Sequence, residues 1–314
     1  MSDRKDMSKK IDTRYAIGRK EANAYNTQEL RDAFLVDTLM TQGEVVWIYT
    51  HYERFMLGSA VPTTSALTLE TIEDQLKMPF FTARREVGVI NIGGPGTITV
   101  SGTTYHLDNE EALYIGQGNE EVIFESDNAS NPAKYYLNSA PAHHAYPCKK
   151  IGSTDANILH LGSQETSNKR DIKQLLINTV VDTCQLQMGL TRLHKGSVWN
   201  TMPAHQHDRR NEVYFYFDMD SESRVCHFMG EPHETRHIFV ANEEAVVSPP
   251  WSIHCGVGTG SYAFIWGMAS CLLNSLLRSI RSSCLESTFS FNNLSLTAKL
   301  SSDNCRSFCS NIFC

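Results

Sequence analysis

The feature that most limits how this chain can fold is a long-range repetition within it. Arg84-Arg85 leads into a strand-like run, and Arg209-Arg210 does the same 125 residues later. Asn109-Glu110-Glu111-Ala112-Leu113 returns as Asn242-Glu243-Glu244-Ala245-Val246, at a spacing of 133. A two-copy period of this size denotes tandem domains, because solenoid repeats are several times shorter. The drift between the two spacings falls in a longer hairpin around 218–230 of the second copy. A chain of 314 residues has room for two domains, and 41% hydrophobic residues suffice for a core in each.

Within each copy the local pattern is that of short strands. Val45-Val46-Trp47-Ile48-Tyr49-Thr50 is β-branched and aromatic, as strands favour. Gly93-Gly94-Pro95-Gly96 is a strong turn signal, and Ser101-Gly102 turns Thr97–Val100 into Thr103–Leu107. Strands at intervals of about eight to twelve residues, joined by glycine turns, indicate a sandwich or barrel. The expected fold class is therefore all-β, as two tandem barrels with a few peripheral helices. One such helix starts at Asn26-Thr27-Gln28-Glu29, with Asn26 or Thr27 as cap and Leu30, Phe34 and Leu35 on its buried side. The expected division is an N-terminal segment at 1–43, a first barrel at 44–140 and a connecting segment at 141–180. A second barrel follows at 181–269 and an atypical Ser- and Cys-rich tail at 270–314.

Composition removes several function classes. A net charge of −7 and a pI near 5.9, with no basic stripe, speak against a nucleic-acid partner. No run is long enough for a membrane span, and the charged start Met1-Ser2-Asp3-Arg4-Lys5-Asp6 is not a secretory leader. Cys148, Cys184, Cys226 and Cys255 are scattered singly, as reduced thiols of a cytoplasmic protein are.

The chemistry concentrates in Pro203-Ala204-His205-Gln206-His207-Asp208-Arg209-Arg210-Asn211-Glu212. Strand side chains return to one face every second residue, so His205 and His207 point together. Glu212 opens the next strand, and a hairpin between the two would bring it to the same point. His254 follows the turn Pro249-Pro250 and supplies a fourth ligand. Three imidazoles and a carboxylate suit several divalent ions, and ligand type alone does not choose among them. The first copy has no H-x-H and cannot hold the same ion. Candidate groups for proton transfer are His237, Tyr214, Tyr216 and Glu234. Arg209, Arg210 and Arg236 are candidates to pair with a substrate carboxylate, which guanidinium binds in bidentate fashion. Trp199 serves either as a pocket wall or as core.

The spacing H-x-H-x4-E with a later P-x4-H resembles the two metal motifs of the cupin superfamily. More of the chain, from about Gly88 to Met268, looks like the 5-keto-4-deoxyuronate isomerase family. The likeness rests on Arg84–Gly94, Thr166-Ser167-Asn168, Trp199–Pro203 and Glu212–Phe217, and on Glu234–Ile238 and Trp251-Ser252-Ile253-His254. The resemblance implies a ketol isomerase that converts 4-deoxy-L-threo-5-hexosulose uronate to 3-deoxy-D-glycero-2,5-hexodiulosonate in pectin breakdown. It further implies a hexamer of two-cupin chains, each holding one zinc ion through His205, His207, Glu212 and His254. The alternatives are a 5-deoxyglucuronate isomerase of inositol breakdown, an oxygen-using cupin and a non-enzymatic sugar-binding cupin.

The end of the chain departs from that family. After Ala269 the sequence becomes rich in Ser, Leu and Cys, with Cys271, Cys284, Cys305, Cys309 and Cys314 crowded together. Arg278, Arg281, Lys299 and Arg306 there outnumber Glu286 and Asp303. A frame change or gene-model error near residue 270 is the expected origin, the alternative being a genuine, amphipathic extension. Mass spectrometry of the native protein is then expected to find no peptide from 274–314, and recovery of such peptides refutes the expectation.

Overall fold

The computed structural model describes residues 11–269; the tail at 270–314 lies outside the described residues. The first half contributes β1 (Asp12–Arg14), β2 (Leu35–Val36), β3 (Val45–Thr50), β4 (Met56–Ala60), β5 (Leu67–Thr68) and β6 (Arg85–Asn91). It continues with β7 (Gly96–Val100), β8 (Thr103–Leu107), β9 (Ala112–Ile115), β10 (Val122–Ser126), β11 (Tyr135–Pro141) and β12 (Lys149–Ile151). The second half contributes β13 (Asn157–Leu161), β14 (Arg170–Leu176), β15 (Leu186–Leu193), β16 (Trp199–His205) and β17 (Asn211–Phe217). It ends with β18 (Val225–Glu231), β19 (Glu234–Val240), β20 (Glu244–Ser248), β21 (His254–Gly258) and β22 (Ala263–Ala269). The expected all-β class is what these elements form.

The sheets repeat one plan twice. A seven-stranded sheet of order β1-β3-β4-β11-β6-β9-β12 faces a four-stranded sheet β5-β10-β7-β8. In the second half the orders are β13-β14-β15-β22-β17-β20-β2 and β16-β21-β18-β19. Strand for strand, β6 answers to β17, β7 to β18, β9 to β20, β10 to β21 and β11 to β22. The drift in spacing has a local cause. The connection from β17 to β18 is longer than that from β6 to β7, and β18 and β19 have seven residues each where β7 and β8 have five. Residues expected to link the halves supply β12 to the first large sheet and β13 and β14 to the second. The N-terminal segment crosses over, so that β2 pairs with β20.

Among the described residues three short α-helices, α1 (Arg19–Ala24), α2 (Thr27–Phe34) and α3 (Glu73–Leu76), lie at the periphery. The helix α2 spans Thr27–Phe34, and Asn26 caps it as expected. Asn26 Oδ1 accepts from the N–H of Gln28 and Glu29, while Glu29 Oε2 accepts from the N–H of Asn26. This reciprocal pair satisfies donors that the first turn leaves open. Leu30, Phe34 and Leu35 are buried, again as expected.

The two large sheets pack face to face and join the halves. Tyr136 of β11 stacks on Phe215 of β17 with centroids 4.5 Å apart. The sheets approach closely at Gly88, where a Cβ would collide with Met188, Leu176 and Leu186. Glu86, fully buried on β6, ties the interface electrostatically. Its carboxylate accepts from the backbone N–H of Cys184, Gln185 and Leu186 and from the Tyr114 hydroxyl, all at 2.8 Å. Burial pushes its pKa up, and the four donors restrain that rise without cancelling it.

The interiors of the barrels differ in kind. The first is filled by Val87, Val89, Ile98, Leu113, Val122, Phe124 and their neighbours, all but fully buried. Matching strands and registers place Val87 where the second barrel has Glu212, and Val122 where it has His254. Two carbons-only positions in one copy are thus polar in the other.

Glu86→Ala is expected to lower stability by roughly 3–5 kcal/mol, because it strands four buried donors. Urea denaturation followed by tyrosine and tryptophan fluorescence measures this. A loss under about 1 kcal/mol contradicts the role given to Glu86.

Candidate metal centre

The ligand-rich stretch spans two sheets and is not one hairpin, which corrects the expected local geometry. β16 ends at His205 in the small sheet and pairs with β21, so that His205 stands opposite His254. Glu212 sits on β17 in the large sheet, opposite Met268 and Ser248. The intervening loop carries His207 across the open end of the barrel. His205 and His254 therefore meet through strand pairing, and Glu212 meets them from the facing sheet.

The four groups converge tightly. One ring nitrogen each from His205, His207 and His254 fall within 4.8 Å of one another. The ring centroids are 4.7 Å apart for His205 with His207 and for His205 with His254, and 5.2 Å for His207 with His254. Glu212 Oε2 lies 3.1 Å from His254 Nε2 and 3.5 Å from His207 Nε2. Both Glu212 Oε2 and His254 Nε2 are buried, and neither makes an aligned hydrogen bond. Buried polar atoms without partners are rare, and a shared cation would satisfy both. This donor set fits a divalent ion of the borderline kind.

The protonation states suit ligation. Burial lowers the His205 pKa, and His254 lowers it further. His207 is brought down to about 3 by burial and by the neighbouring Arg210. Burial alone would raise the Glu212 pKa, but His254, Arg210 and His207 outweigh it and hold the carboxyl at about 2. His205 and His207 are thus neutral, with free lone pairs, and Glu212 is a fixed anion at neutral pH.

The other expected site residues divide into two groups. Tyr214 and Tyr216 follow Glu212 on the inner side of β17, and the Tyr214 ring lies 5.4 Å from that of His254. The Tyr214 hydroxyl meets Thr201 at 3.3 Å. Arg210 Nη2 lies 3.1 Å from His207 Nε2, while Arg209 is exposed. Glu234, Arg236 and His237 are all on β19 and are not gathered into the cluster. Arg236 pairs with Glu234 at 2.8 Å and donates to the backbone oxygen of Asn23. His237 is exposed beside Phe239. Trp199 stacks against Phe228, opposite Val257 and away from His254.

Two residues near the site escape sequence reasoning. Glu53 reaches over from the first half, where its Oε2 accepts from the Asn211 N–H at 3.4 Å. Burial pushes its pKa up to about 7, against the pull of that N–H and of Arg210. His227 on β18 is fully buried, with Nδ1 2.8 Å from the Tyr216 hydroxyl. Nothing in the local sequence marks Glu53. His227 sits in the alternating run Val225–Met229, where a lone histidine reads as core.

Fold and site together define a β-barrel of the cupin kind, with a histidine cluster compatible with a metal ion. The profile of the KduI/IolB family matches residues 34–278, and the chain belongs to that family. A 4-deoxy-L-threo-5-hexosulose-uronate ketol-isomerase of Formosa agariphila is 57% identical over 263 residues, covering 84% of this chain and 94% of that protein. A protein of the same name from Halalkalibacterium halodurans is 51% identical over 259 residues, covering 82% and 94%. Among solved structures, an IolB-like protein from Salmonella typhimurium superposes with a TM-score of 0.63 at 14% identity, covering 77% of this chain and 94% of that one. Its likeness is one of fold.

The lowered histidine pKa values carry a pH dependence for the metal-free protein. Unfolded histidine titrates near 6.5, whereas His207 and His227 in the fold take up a proton only near 3. Below about pH 6.5 the unfolded chain binds more protons, so stability falls as the pH drops through that window. Glu212 extends the fall between 4.5 and about 2. The urea midpoint of chelator-treated protein is expected to decline steadily from about pH 7 to about pH 5. His227→Ile is expected to make that decline shallower, and a slope unchanged by it contradicts the burial of a neutral ring there.

Proposed function

We propose that the chain is a metal-dependent ketol isomerase that converts 4-deoxy-L-threo-5-hexosulose uronate to 3-deoxy-D-glycero-2,5-hexodiulosonate. The carrying observation is the meeting of His205, His207, Glu212 and His254 at one point inside the second barrel. Relatives of about half-identical sequence that bear the isomerase name, matched over nearly their whole length, support the substrate. The first barrel, with Val87 and Val122 at the corresponding places, serves as scaffold.

His205, His207, Glu212 and His254 would hold the ion, taken as zinc, one per chain. When bound, the ion supplies Lewis-acid stabilisation to a substrate oxygen that gains negative charge. Glu212 contributes the fixed negative charge of the set, and the imidazoles contribute lone pairs. Tyr214 closes the barrel over these groups and keeps water from their inner side. Arg210 is the guanidinium placed to receive the substrate carboxylate, since it already borders His207 at the mouth. Strong burial of Tyr214 raises its hydroxyl pKa far above neutrality, which makes it a hydrogen-bond donor and not a base. The exposed Ile158, Leu159 and Leu161 on edge strand β13 offer an apolar seam for assembly, in line with a hexamer. The scattered cysteines Cys148, Cys184, Cys226 and Cys255, which form no disulfide with one another, accord with a cytoplasmic enzyme.

Metal analysis of purified protein, paired with turnover of the uronate, tests the reading. His207→Ala and His254→Ala are each expected to lose the ion and at least about 10²-fold in turnover, with the barrel still folded by circular dichroism. Protein that isomerises the uronate without any bound metal overturns it. Faster turnover of 5-deoxyglucuronate than of the hexosulose uronate replaces the substrate.

A further inference from the structure

His227 is not one of the four ligands, yet its surroundings single it out. It stands opposite Gly256 across the β18–β21 pair, and His254 lies two residues from Gly256 on the same strand. Directly paired residues share a face of a sheet, as do residues two apart along a strand. His205 stands opposite His254. His205, His254 and His227 therefore project from one face, toward the barrel interior. The position between His254 and His227 is a glycine, so no side chain separates them along β21.

The ring is held in one orientation. Its Nδ1 lies 2.8 Å from the Tyr216 hydroxyl, and the rings of Tyr214 and Tyr216 flank it at 5.7 and 5.9 Å. Its Nε2 is buried without a hydrogen-bond partner. The side chain as a whole has no exposure to solvent. Burial, with His254 nearby, lowers the ring pKa to about 3, so the imidazole is neutral at physiological pH.

The tautomer follows from the brace. The Tyr216 hydroxyl is itself fully buried, and burial keeps it protonated. Its proton needs an acceptor, and His227 Nδ1 is the acceptor in reach among the described residues. Nδ1 then carries no hydrogen, and the ring proton resides on Nε2. A neutral N–H donor without a hydrogen-bond partner is thus buried on the same sheet face as His205 and His254.

The first barrel provides the internal comparison. Ile98 pairs with Phe124 and Tyr105 there. His227 pairs with Gly256 and Ile238 in the same register. Ile98 is fully buried in an apolar core. An aliphatic side chain therefore meets every demand the fold makes at this position. A buried imidazole with an orphaned nitrogen meets those demands less well, and so calls for another reason.

We infer that His227 is a catalytic residue of the isomerase, whose Nε2–H donates a hydrogen bond to the substrate oxygen on which negative charge develops. The inference rests on the ketol-isomerase reading above. In such a reaction a general base takes the proton from the hydroxyl-bearing carbon beside a carbonyl, and the electron pair moves onto the carbonyl oxygen to give an enediolate. Return of a proton to the former carbonyl carbon completes the isomerisation. A donor that makes no other hydrogen bond and is shielded from bulk water stabilises such a charge with little reorganisation. Neutrality suits the task, because a neutral imidazole offers the hydrogen bond without adding a cation beside the ligand cluster.

The decisive variant is His227→Ile, which installs what the first barrel carries. Its kcat is expected to fall about 10²–10³-fold, with metal content and urea midpoint at or above those of the wild type. His227→Gln restores an N–H donor and is expected to recover at least about tenfold over the isoleucine variant. Nitrogen NMR of histidine-labelled protein, with the His227 signals assigned by their loss in the glutamine variant, is expected to show a protonated Nε2 and a bare Nδ1. A metal-loaded isoleucine variant with kcat within about threefold of wild type overturns the assignment, as does a ring protonated at Nδ1. Metal-loaded wild type that leaves the uronate unchanged overturns the isomerase reading and this assignment with it. Active wild type beside an equally active isoleucine variant overturns this assignment alone.

Discussion

The structure depends on a single buried carboxylate. Glu86 belongs to the first barrel, yet three of its four hydrogen bonds go to the backbone at Cys184, Gln185 and Leu186, where the second barrel begins. Those N–H groups lie at and just before the start of β15, so no strand partner reaches all of them. An acceptor with two oxygens, fixed on a neighbouring sheet, meets the need and sets where β15 enters. From β15 the pairing runs through β22 to β17, and β17 carries Glu212, Tyr214 and Tyr216. The geometry of the site thus traces back to a charge in the other half.

The polar interior of the second barrel is expensive to maintain. Glu212, His227 and His254 are buried with unpartnered atoms, and Asn200 Nδ2 is buried and unpartnered beside them. Groups of this kind lower stability unless something completes their bonding. The first barrel, with its aliphatic interior and its sheet packed through Tyr136 on Phe215, supplies compensating burial. Polar strain in one copy and close apolar packing in the other are two sides of one arrangement.

Much of this was legible beforehand, because the signals were local or periodic. The Asn26 cap, the hairpin from Thr97 to Leu107 and the alternation along β17 each follow from residues near one another in sequence. The pairing of Arg84-Arg85 with Arg209-Arg210 gave the duplication, and the matched sheet orders bear it out. The H-x-H-x4-E spacing with His254 gave residues that the fold brings together. What could not be read was which sheet each strand would join. β16 and β17 are adjacent in sequence and looked like a hairpin, but His205 pairs with β21 and Glu212 with β20 and β22. Tertiary closure of the barrel overrides nearness along the chain. Glu53 was invisible for the same reason, since only the packing of the two halves brings it to Asn211. The candidates on β19 were plausible by residue type alone, but His237 sits on the outward face of that strand and Glu234 at its exposed first position.

The join at Glu86 has a genetic consequence. Variation in the first barrel is screened by chemistry performed elsewhere, since a shift of β15 displaces every group on β17. A harmful change can therefore lie far from any reacting atom and still register as a slow enzyme. The hydrophobic twin is better regarded as the foundation on which the polar one stands level, and tolerance to change should be narrowest along the seam between them.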